Sequence, residues 1–330
     1  MANESILITG GAGYVGSNAA KCLIDEGYSV IIIDDLSGGH HDFITSLQAP
    51  FYHSCISNKS LIKEIIAKHQ ISAVLHFAAK INVGESQKDP QKYFDNNVVK
   101  AIALLDAVVE SGIRKFVFSS TCACYGNPIK TPIDEDHPLN PISNYGTSKL
   151  MVEQILKAYD LAYGLKSVIF RYFNACGGQA EHGLGEDHYP ETHLIPLILA
   201  AAAGKNNELT IFGTDYPTPD GTCIRDYIHV KDLAYGHLLG LKFLEQGGGS
   251  EVFNLGAAKG FSVHEIIQVC EKVCQTKISM RLGPRRDGDP AVLLANTQKA
   301  KLKLGFDCRF SDIHSIVADA WQFYKKRYNN

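Results

Sequence analysis

The sequence predicts an α/β fold, in which a doubly wound parallel sheet is joined to a smaller, mixed α/β lobe. In the first half of the chain, short apolar runs alternate with helical patterns, an order typical of a parallel sheet covered by helices on both faces. After about residue 175 the elements become shorter, and tracts rich in Gly, His and acidic residues separate them. We therefore expect an N-terminal domain over residues 1–175 and a second lobe over 176–330, some segments of which return to the first.

Apolar runs with turn or helix signals on both sides predict the strands of the first lobe. They are Ser5–Thr9, Ser29–Asp34, 73–77, 115–120 and 167–170. In the second lobe we expect strands at Leu209–Phe212 and 252–255, and helices at 230–244, at 262–273 and at the C-terminus, ending near Tyr328. Two loop-rich tracts, 177–196 and 213–225, are expected to carry a ligand-facing surface.

Composition and charge limit the kinds of protein and of binding partner that are expected. With 330 residues, 45% of them hydrophobic, the chain can bury one large core or two unequal ones. A net charge of -3 gives no electrostatic reason to expect a nucleic acid or an anionic membrane as partner. The sequence shows no signal-peptide core and no apolar run long enough to span a bilayer. Nine cysteines without paired spacing favour reduced thiols, and therefore a cytoplasmic protein.

No metal site is expected from the sequence. Cys122 and Cys124 have no histidine close to them in the chain. His188 and His193 lie five residues apart, and the sequence pattern offers them no third ligand of the kind that zinc requires.

The strongest local signal is the glycine-rich loop that follows the first strand and opens a helix. Gly10 permits a tight turn, Gly13 lets the backbone approach a pyrophosphate, and Gly16 lets helix and strand pack closely. The second strand ends in Asp34 and Asp35, where an acidic side chain can hold the adenosine ribose and repel a 2′-phosphate. The loop therefore predicts a Rossmann-like sheet that binds NAD rather than NADP.

A second group of residues, Thr121, Tyr145 and Lys149, has the composition of a proton-transfer site. Thr121 follows an apolar strand, so it should lie at the carboxyl end of the sheet, where ligands of open α/β sheets bind. Tyr145 and Lys149 are four residues apart, which places them on one face of a helix. An ammonium and the positive nicotinamide ring should lower the pKa of the phenol, so we expect Tyr145 to act as a base.

The whole chain resembles the extended short-chain dehydrogenase/reductase family, and within it the UDP-glucose (UDP-galactose) 4-epimerases. The matching motifs, in chain order, are the loop at 10–16, HFAA at 76–79, VGES at 83–86, YFDNNV at 93–98, SST at 119–121, YGTSK at 145–149, RYFN at 171–174, IFG at 211–213, DGT at 220–222, RDYIH at 225–229 and RRDGD at 285–289.

This resemblance implies a set of cofactor and substrate residues. Those expected to line the NAD site are Gly10, Gly13, Tyr14, Val15, Gly16, Asp34, Asp35, Ile56, Phe77, Ala78, Ala79, Asn96, Ser119, Tyr145, Lys149, Tyr172 and Phe173. Those expected to hold a UDP-sugar are Thr121, Tyr145, Asn174, Leu194, Thr210, Ile211, Phe212, Arg225, Arg286, Asp289 and Leu293. The two arginines offer rigid donor forks suited to a diphosphate.

The activity that the resemblance implies is interconversion of UDP-glucose and UDP-galactose through a transient 4-keto sugar. Tyr145 would take the proton of the sugar 4-hydroxyl while a hydride passes to NAD, and the ketone would then turn over before the hydride returns. The family also implies a homodimer formed through two helices of each subunit, with which the amphipathic patterns at 96–111 and 150–163 are compatible.

Three alternative functions are compared with this activity. A sugar 4,6-dehydratase is disfavoured, because it needs an acid and a base directly after the threonine, where this chain has Cys122 and Ala123. A UDP-glucuronate 4-epimerase or decarboxylase is compatible with the same motifs. A non-catalytic NAD-sensing protein would not need Lys149 beside Tyr145.

Three positions depart from the family pattern. Cys55 replaces an acidic residue that often contacts adenine through a hydrogen bond, and Ile81 takes the place of a lysine near the nicotinamide, with Lys80 one residue earlier. Leu293 is smaller than the tyrosine of other members, so an N-acetylated UDP-sugar is a candidate second substrate.

Overall fold

A computed structural model describes residues 4–205, 208–286 and 289–328 of the chain. The strands are β1 (Ser5–Thr9), β2 (Ser29–Asp34), β3 (Phe51–His53), β4 (Ile71–His76), β5 (Lys115–Ser119), β6 (Lys166–Tyr172), β7 (Asn174–Cys176), β8 (Gly178–Gln179), β9 (Leu184–Gly185), β10 (Leu209–Phe212), β11 (Ile224–His229), β12 (Glu251–Leu255), β13 (Gly260–Ser262), β14 (Met280–Gly283) and β15 (Val292–Leu293). The α-helices are α1 (Tyr14–Asp25), α2 (His41–Leu47), α3 (Lys59–His69), α4 (Val83–Lys88), α5 (Pro90–Phe94), α6 (Lys100–Glu110), α7 (Asn144–Tyr163), α8 (Leu194–Ala202), α9 (Val230–Glu245), α10 (Val263–Cys274), α11 (Gln298–Leu304) and α12 (Ile313–Tyr328).

The central sheet confirms the predicted fold class. Its strand order is β3-β2-β1-β4-β5-β6-β12, and every neighbouring pair is parallel. From β1 the chain first builds outward to β3 and then crosses over to build β4, β5 and β6 on the other side. The direction of winding therefore reverses between β1 and β4, and open sheets of this kind bind ligands at the carboxyl ends of the strands that flank the reversal.

Both faces of the sheet are covered by helices, which explains the continuous apolar runs of its strands. Alternate residues of β1 point to opposite faces. Ile6 and Ile8 pack in the same core as α1 and α9, whereas Leu7 packs with α3, α6 and α7. The sheet therefore separates two apolar cores, and the carboxyl edge of its strands is left free for a site.

The second half of the chain contributes to both lobes. Strand β12 pairs with β6 at the edge of the central sheet, and α9 packs against α1. The smaller lobe has a core of its own, in which α8, α10 and α12 pack around β10 and β11. The division near residue 175 remains a prediction. Among the described residues, none of the helices has the length and apolar character needed to cross a membrane.

The structure differs from the sequence prediction at the two tracts expected to be loops. Strand β11 begins inside one of them, and α8 begins inside the other. Strand β11 carries the polar residue Asp226, whose buried carboxylate accepts backbone N–H groups from Ala257, Ala258 and Ala295 at 2.7, 3.0 and 3.1 Å. The buried acid masks the apolar pattern of this strand, and its partners are distant in sequence.

A buried ion pair fastens α7 to the central sheet. Nη2 of Arg171 on β6 lies 2.5 Å from Oε2 of Glu153 on α7, and both side chains are only 5% exposed. The Ser120 hydroxyl donates to the other carboxylate oxygen at 2.5 Å, and Arg171 donates to the Tyr125 hydroxyl at 3.2 Å. One carboxylate therefore joins a helix to the carboxyl ends of two strands.

Replacing this carboxylate should weaken the whole fold. We expect Glu153→Ala to lower the free energy of unfolding by about 3–5 kcal/mol, because the Arg171 guanidinium would be left buried without its partner. The measurement is urea unfolding followed by circular dichroism. The matched control is Gln154→Ala, an exposed position on the same helix, which should change the free energy by no more than about 0.5 kcal/mol. Equal effects of the two substitutions would contradict this role of the ion pair.

Candidate active site

The glycine-rich loop lies between β1 and α1, at the edge where the sheet reverses. Gly10 adopts a φ of +74°, and a Cβ built on it would lie 2.4 Å from the backbone nitrogen of Ala78. A Cβ on Gly16 would lie 2.2 Å from the Gly10 carbonyl oxygen. Only glycine allows the loop to approach the end of β4 and the first turn of α1 so closely. The predicted roles of these two glycines in turn formation and packing agree with this geometry.

The N-terminus of α1 can accommodate an anionic group. Gly13 is the N-cap residue, and no side chain caps the helix there, so N–H groups of its first turn are available to a phosphate. Beside the loop, Asp34 accepts the backbone N–H of Ala12 at 3.0 Å and that of Leu36 at 2.8 Å. Burial raises the pKa of Asp34, and the two backbone donors oppose that rise. Asp35, next to it, is exposed, so the end of β2 carries one buried and one exposed carboxylate.

The remaining predicted cofactor residues surround the same edge. Phe77, Ala78 and Ala79 follow β4, Asn96 lies in a π-helical turn (Asp95–Val99), and Tyr14, Val15 and Ile56 pack near the ends of β1 and β3. The hydroxyls of Ser119 and Tyr172 are 2.7 Å apart. Phe173 differs from the other predicted cofactor residues, because its side chain is buried in a separate small core with Tyr125 and Ile133.

Tyr145 and Lys149 occupy the first two turns of α7, as predicted. The helix begins after Ser143, whose hydroxyl accepts the backbone N–H of Gly146 at 3.1 Å. Both predicted side chains are buried. The Lys149 ammonium donates to the carbonyl oxygen of Ser119 at 2.8 Å, and this contact ties α7 to the end of β5.

Thr121, just after the end of β5, lies close to Tyr145 on α7. Its hydroxyl accepts the backbone N–H of Ala123 at 3.1 Å and caps a short 3₁₀ turn (Cys122–Cys124). The Thr121 hydroxyl lies close enough to the Tyr145 phenol to lower its pKa. The structure therefore brings together the three residues that the sequence predicted as a proton-transfer group.

Burial dominates the electrostatics of this group. It is the largest influence on Tyr145 and raises the pKa of the phenol well above its usual value, against the smaller lowering by Thr121. Burial also lowers the pKa of Lys149 to about 8. The expected acidification of Tyr145 by Lys149 is not found in the chain alone, because desolvation raises the pKa of the phenol and Lys149 is not among the groups that shift that pKa most.

The predicted substrate residues gather on the second lobe. Arg225, on β11, pairs with Asp289, and its neighbour in the strand register is Leu293 on β15. The guanidinium carbon of Arg286 lies 4.2 Å from the centre of the Phe212 ring, an arrangement that exposes one cation and one aromatic face. Part of the RRDGD motif, residues 287 and 288, lies outside the described residues.

Three other predicted substrate residues lie on β7, α8 and β10. Asn174, on β7, donates to the Asp226 carbonyl at 2.8 Å, Leu194 is the first residue of α8, and the Thr210 hydroxyl accepts from Arg281 at 2.8 Å. Ile211 departs from the expectation, because its side chain is buried in the core of the second lobe, so only its backbone can contact a ligand.

Three polar residues of the site were missed by the sequence analysis. Asn97 is buried, whereas Asn96 is half-buried, and the Asn97 side chain accepts from the Lys80 backbone at 2.8 Å and donates to the Ser148 hydroxyl at 3.0 Å. Glu153 and Ser120 fix α7 to the sheet. The i,i+4 spacing of Lys149 and Glu153 was a usable signal, because it places the acid on the buried face of the same helix.

The Lys80 side chain reaches the loop after β2. Its ammonium donates to the Ser37 hydroxyl at 3.0 Å and to the Ser37 carbonyl oxygen at 3.3 Å.

Comparisons with known proteins agree with this geometry. The model of the NAD dependent epimerase/dehydratase family matches residues 6–256. The UDP-glucose 4-epimerase of Lacticaseibacillus casei is 46% identical over 97% of each chain. A structure of UDP-glucose 4-epimerase from Brucella ovis in complex with NAD superposes with a TM-score of 0.93, at 43% identity over 96% of this chain and 97% of that one. The UDP-Glc/GlcNAc 4-epimerase of Campylobacter jejuni superposes with a TM-score of 0.87, at 38% identity over 98% of this chain and 100% of that one.

These matches cover the sheet, the loop and the second lobe together. The chain belongs to the NAD dependent epimerase/dehydratase family, and within that family to the UDP-glucose 4-epimerases. The predicted enzyme class and the predicted cofactor, NAD, are confirmed.

The close approach of Gly16 to Gly10 provides a test of the cofactor loop. We expect Gly16→Ala to weaken NAD binding about 100-fold, because the added methyl group would push the Gly10 carbonyl and reshape the loop. The measurement is NAD affinity by isothermal titration calorimetry, together with the nucleotide released from the denatured protein. Gly84→Ala is the matched control, since a Cβ there has no neighbour closer than 3.6 Å. Unchanged affinity in Gly16→Ala would refute this function of the loop.

Proposed function

We propose that this enzyme interconverts UDP-glucose and UDP-galactose, with Tyr145 moving the proton of the sugar 4-hydroxyl. The observation that carries this proposal is the convergence of the buried Tyr145, Thr121 and Lys149 at the carboxyl edge of the sheet, next to the cofactor loop. When bound, NAD supplies the reversible hydride acceptance that none of the described side chains provides. The residues proposed to hold it are the loop glycines, Asp34, Asp35, Ser119, Lys149 and Tyr172.

Thr121 and Lys149 have different functions in this proposal. Thr121 keeps the phenol oriented and can share the substrate proton, since a hydroxyl both donates and accepts. Lys149 is held by the Ser119 carbonyl, so its charge stays at a fixed place beside the base. Burial lowers the pKa of Lys149 to about 8, so a charge brought into the site can change the protonation state of this side chain.

The nucleotide part of the substrate is proposed to bind on the second lobe. Arg225 and Arg286 supply donors for the diphosphate, and Phe212 supplies an aromatic face for the uracil. Asp289, already paired with Arg225, can accept from a ribose hydroxyl. Firm anchoring of the nucleotide leaves the sugar free to turn, and inversion at C4 requires that freedom.

Removing the phenol hydroxyl tests the central step. We expect Tyr145→Phe to reduce kcat by about 10²–10⁴-fold with little change in NAD affinity, because only the proton acceptor is lost. The measurement is conversion of UDP-galactose to UDP-glucose followed by NMR. Tyr163→Phe, at an exposed position on the same helix, should retain the activity of the unmodified enzyme. Equal rates for Tyr145→Phe and the control would refute the proposed base.

We further propose that N-acetylated UDP-sugars are accepted. Leu293 packs against the same small core as Cys122, the residue that follows Thr121, and pairs in register with Arg225. This position therefore lies between the proposed proton-transfer group and the proposed diphosphate anchor. A leucine there leaves more room beside the sugar than a tyrosine would.

Filling that space should change the choice of substrate. We expect Leu293→Tyr to lower kcat/KM for UDP-N-acetylgalactosamine by about tenfold or more, because a clash excludes the acetyl group, and to change the value for UDP-galactose little. The ratio of the two kcat/KM values is the quantity to compare. Leu293→Met is the matched control, since it conserves volume and should preserve the ratio. An unchanged ratio in Leu293→Tyr would show that this side chain does not limit the size of the sugar.

We also propose that the enzyme is a cytoplasmic homodimer. All nine cysteines lie in the described residues and each is a free thiol, which supports a reducing compartment. Val99, Met151, Leu161 and Tyr163 expose apolar surface on or next to α6 and α7. These are the two helices expected to form the subunit interface, and burial of this surface in a partner would stabilise a dimer.

A further inference from the structure

Four potential metal ligands converge in the segment between β9 and α8. They are Glu186, His188, Glu191 and His193, and one donor atom from each lies within 4.8 Å of the donor atoms of the other three. The sequence analysis found no third ligand for the two histidines. That conclusion was wrong, because the fold turns both glutamates towards them, and this cluster takes no part in the proposed proton transfer.

The separations of the donor atoms match those of ligands around a metal ion. Nδ1 of His188 lies 3.6 Å from Glu186 Oε1 and 3.6 Å from Glu191 Oε2, and Nδ1 of His193 lies 3.7 Å from Glu191 Oε1. These distances exceed those of hydrogen bonds. Ligands bound at about 2.1 Å in a tetrahedron lie about 3.4 Å apart, close to the observed separations. One pair is shorter, since Nδ1 of His193 is 2.5 Å from Glu186 Oε1.

Burial indicates that the cluster is more than a group of surface charges. The side chains of Glu186, His188 and Glu191 are 7%, 18% and 20% exposed. Nδ1 of His188 is buried and has no hydrogen-bond partner within the described parts of the chain. A buried polar atom in that state destabilises a fold by about 1–3 kcal/mol unless another group satisfies it. A neutral imidazole nitrogen without a hydrogen-bond partner can satisfy its lone pair by binding a metal ion.

We propose that Glu186, His188, Glu191 and His193 bind one divalent transition-metal ion of the zinc type. Two imidazole nitrogens and two carboxylate oxygens suit such an ion, and four protein ligands make the site structural rather than catalytic. The competing explanation is that a proton on His193 bridges the carboxylates without any metal. The proposal is independent of the epimerase mechanism, because no proposed catalytic residue is a ligand.

The metal would connect the cofactor loop to the substrate lobe. The ring of Tyr14, in the first turn of α1, meets the His188 ring edge-on with centroids 6.2 Å apart, and its hydroxyl donates to the Gly177 carbonyl at 2.8 Å. At the other end of the cluster, His193 directly precedes Leu194, the first residue of α8. A metal held by residues 186–193 would therefore fix the start of α8 relative to the glycine-rich loop.

Zinc content of the untagged, full-length protein tests the proposal. The protein is stripped with a chelator, loaded with excess ZnCl₂, desalted and measured by inductively coupled plasma mass spectrometry. We expect about one zinc per chain in the unmodified protein and in His182→Ala, a control that lies just before β9 and outside the cluster. The double variant H188A/H193A should retain less than about a tenth of that amount. Glu191→Gln, which conserves shape, should lose zinc during desalting while keeping its near-UV circular dichroism spectrum.

Cobalt distinguishes this site from the nine thiols. Co²⁺ bound by nitrogen and oxygen ligands should give d–d absorption without the sulfur-to-metal charge-transfer band of thiolate ligation. A spectrum with that band, or equal zinc in the unmodified protein and H188A/H193A, would overturn the proposal. So would a protein that retains no zinc, which is the result expected if a proton on His193 holds the cluster together.

Discussion

The position of α7 against the central sheet is the constraint on which the active site depends. Two side chains one helical turn apart hold it: Lys149 donates to the Ser119 carbonyl, and Glu153 pairs with Arg171 on the neighbouring strand. Both contacts are buried, so water competes with neither. Tyr145 lies one turn before Lys149, and its distance from Thr121 is therefore set by the same contacts that stabilise the fold.

The second lobe is connected to this centre through the backbone rather than through a flexible linker. Strand β7 follows β6 after a single residue and pairs with β11, whose preceding register positions carry Arg225 and Asp226. The Asp226 carboxylate collects backbone donors from three residues, and the Asn174 side chain donates to its carbonyl. The arginine proposed to anchor the diphosphate thus sits on a strand that continues from the edge of the cofactor lobe, and this sets its distance from Tyr145.

Much of the first lobe could be predicted, because its signals are local. A buried parallel strand is an apolar run, and the turn at Gly10 requires glycine whatever the rest of the fold does. The features that were missed depend on contacts between distant segments. Strand β11 carries a buried acid whose partners come from two later segments, and Ile211 enters a core built from three helices. The cluster of Glu186, His188, Glu191 and His193 is local in sequence, but it was missed because its spacing matches no regular ligand motif and its donor atoms meet only in the folded segment before α8.

The pKa of the Tyr145 phenol shows why residue spacing alone was an incomplete guide to chemistry. Spacing placed an ammonium beside Tyr145, but the same burial that positions the phenol raises its pKa well above the usual value. A positive charge at the ring has to offset that desolvation before the proton can leave. Lys149 is held at the Ser119 carbonyl and is itself made more acidic by burial, and it is not among the groups that shift the pKa of Tyr145 most. In the proposed mechanism, bound NAD would supply positive charge beside the phenol, and this would couple the basicity of Tyr145 to the presence of the cofactor.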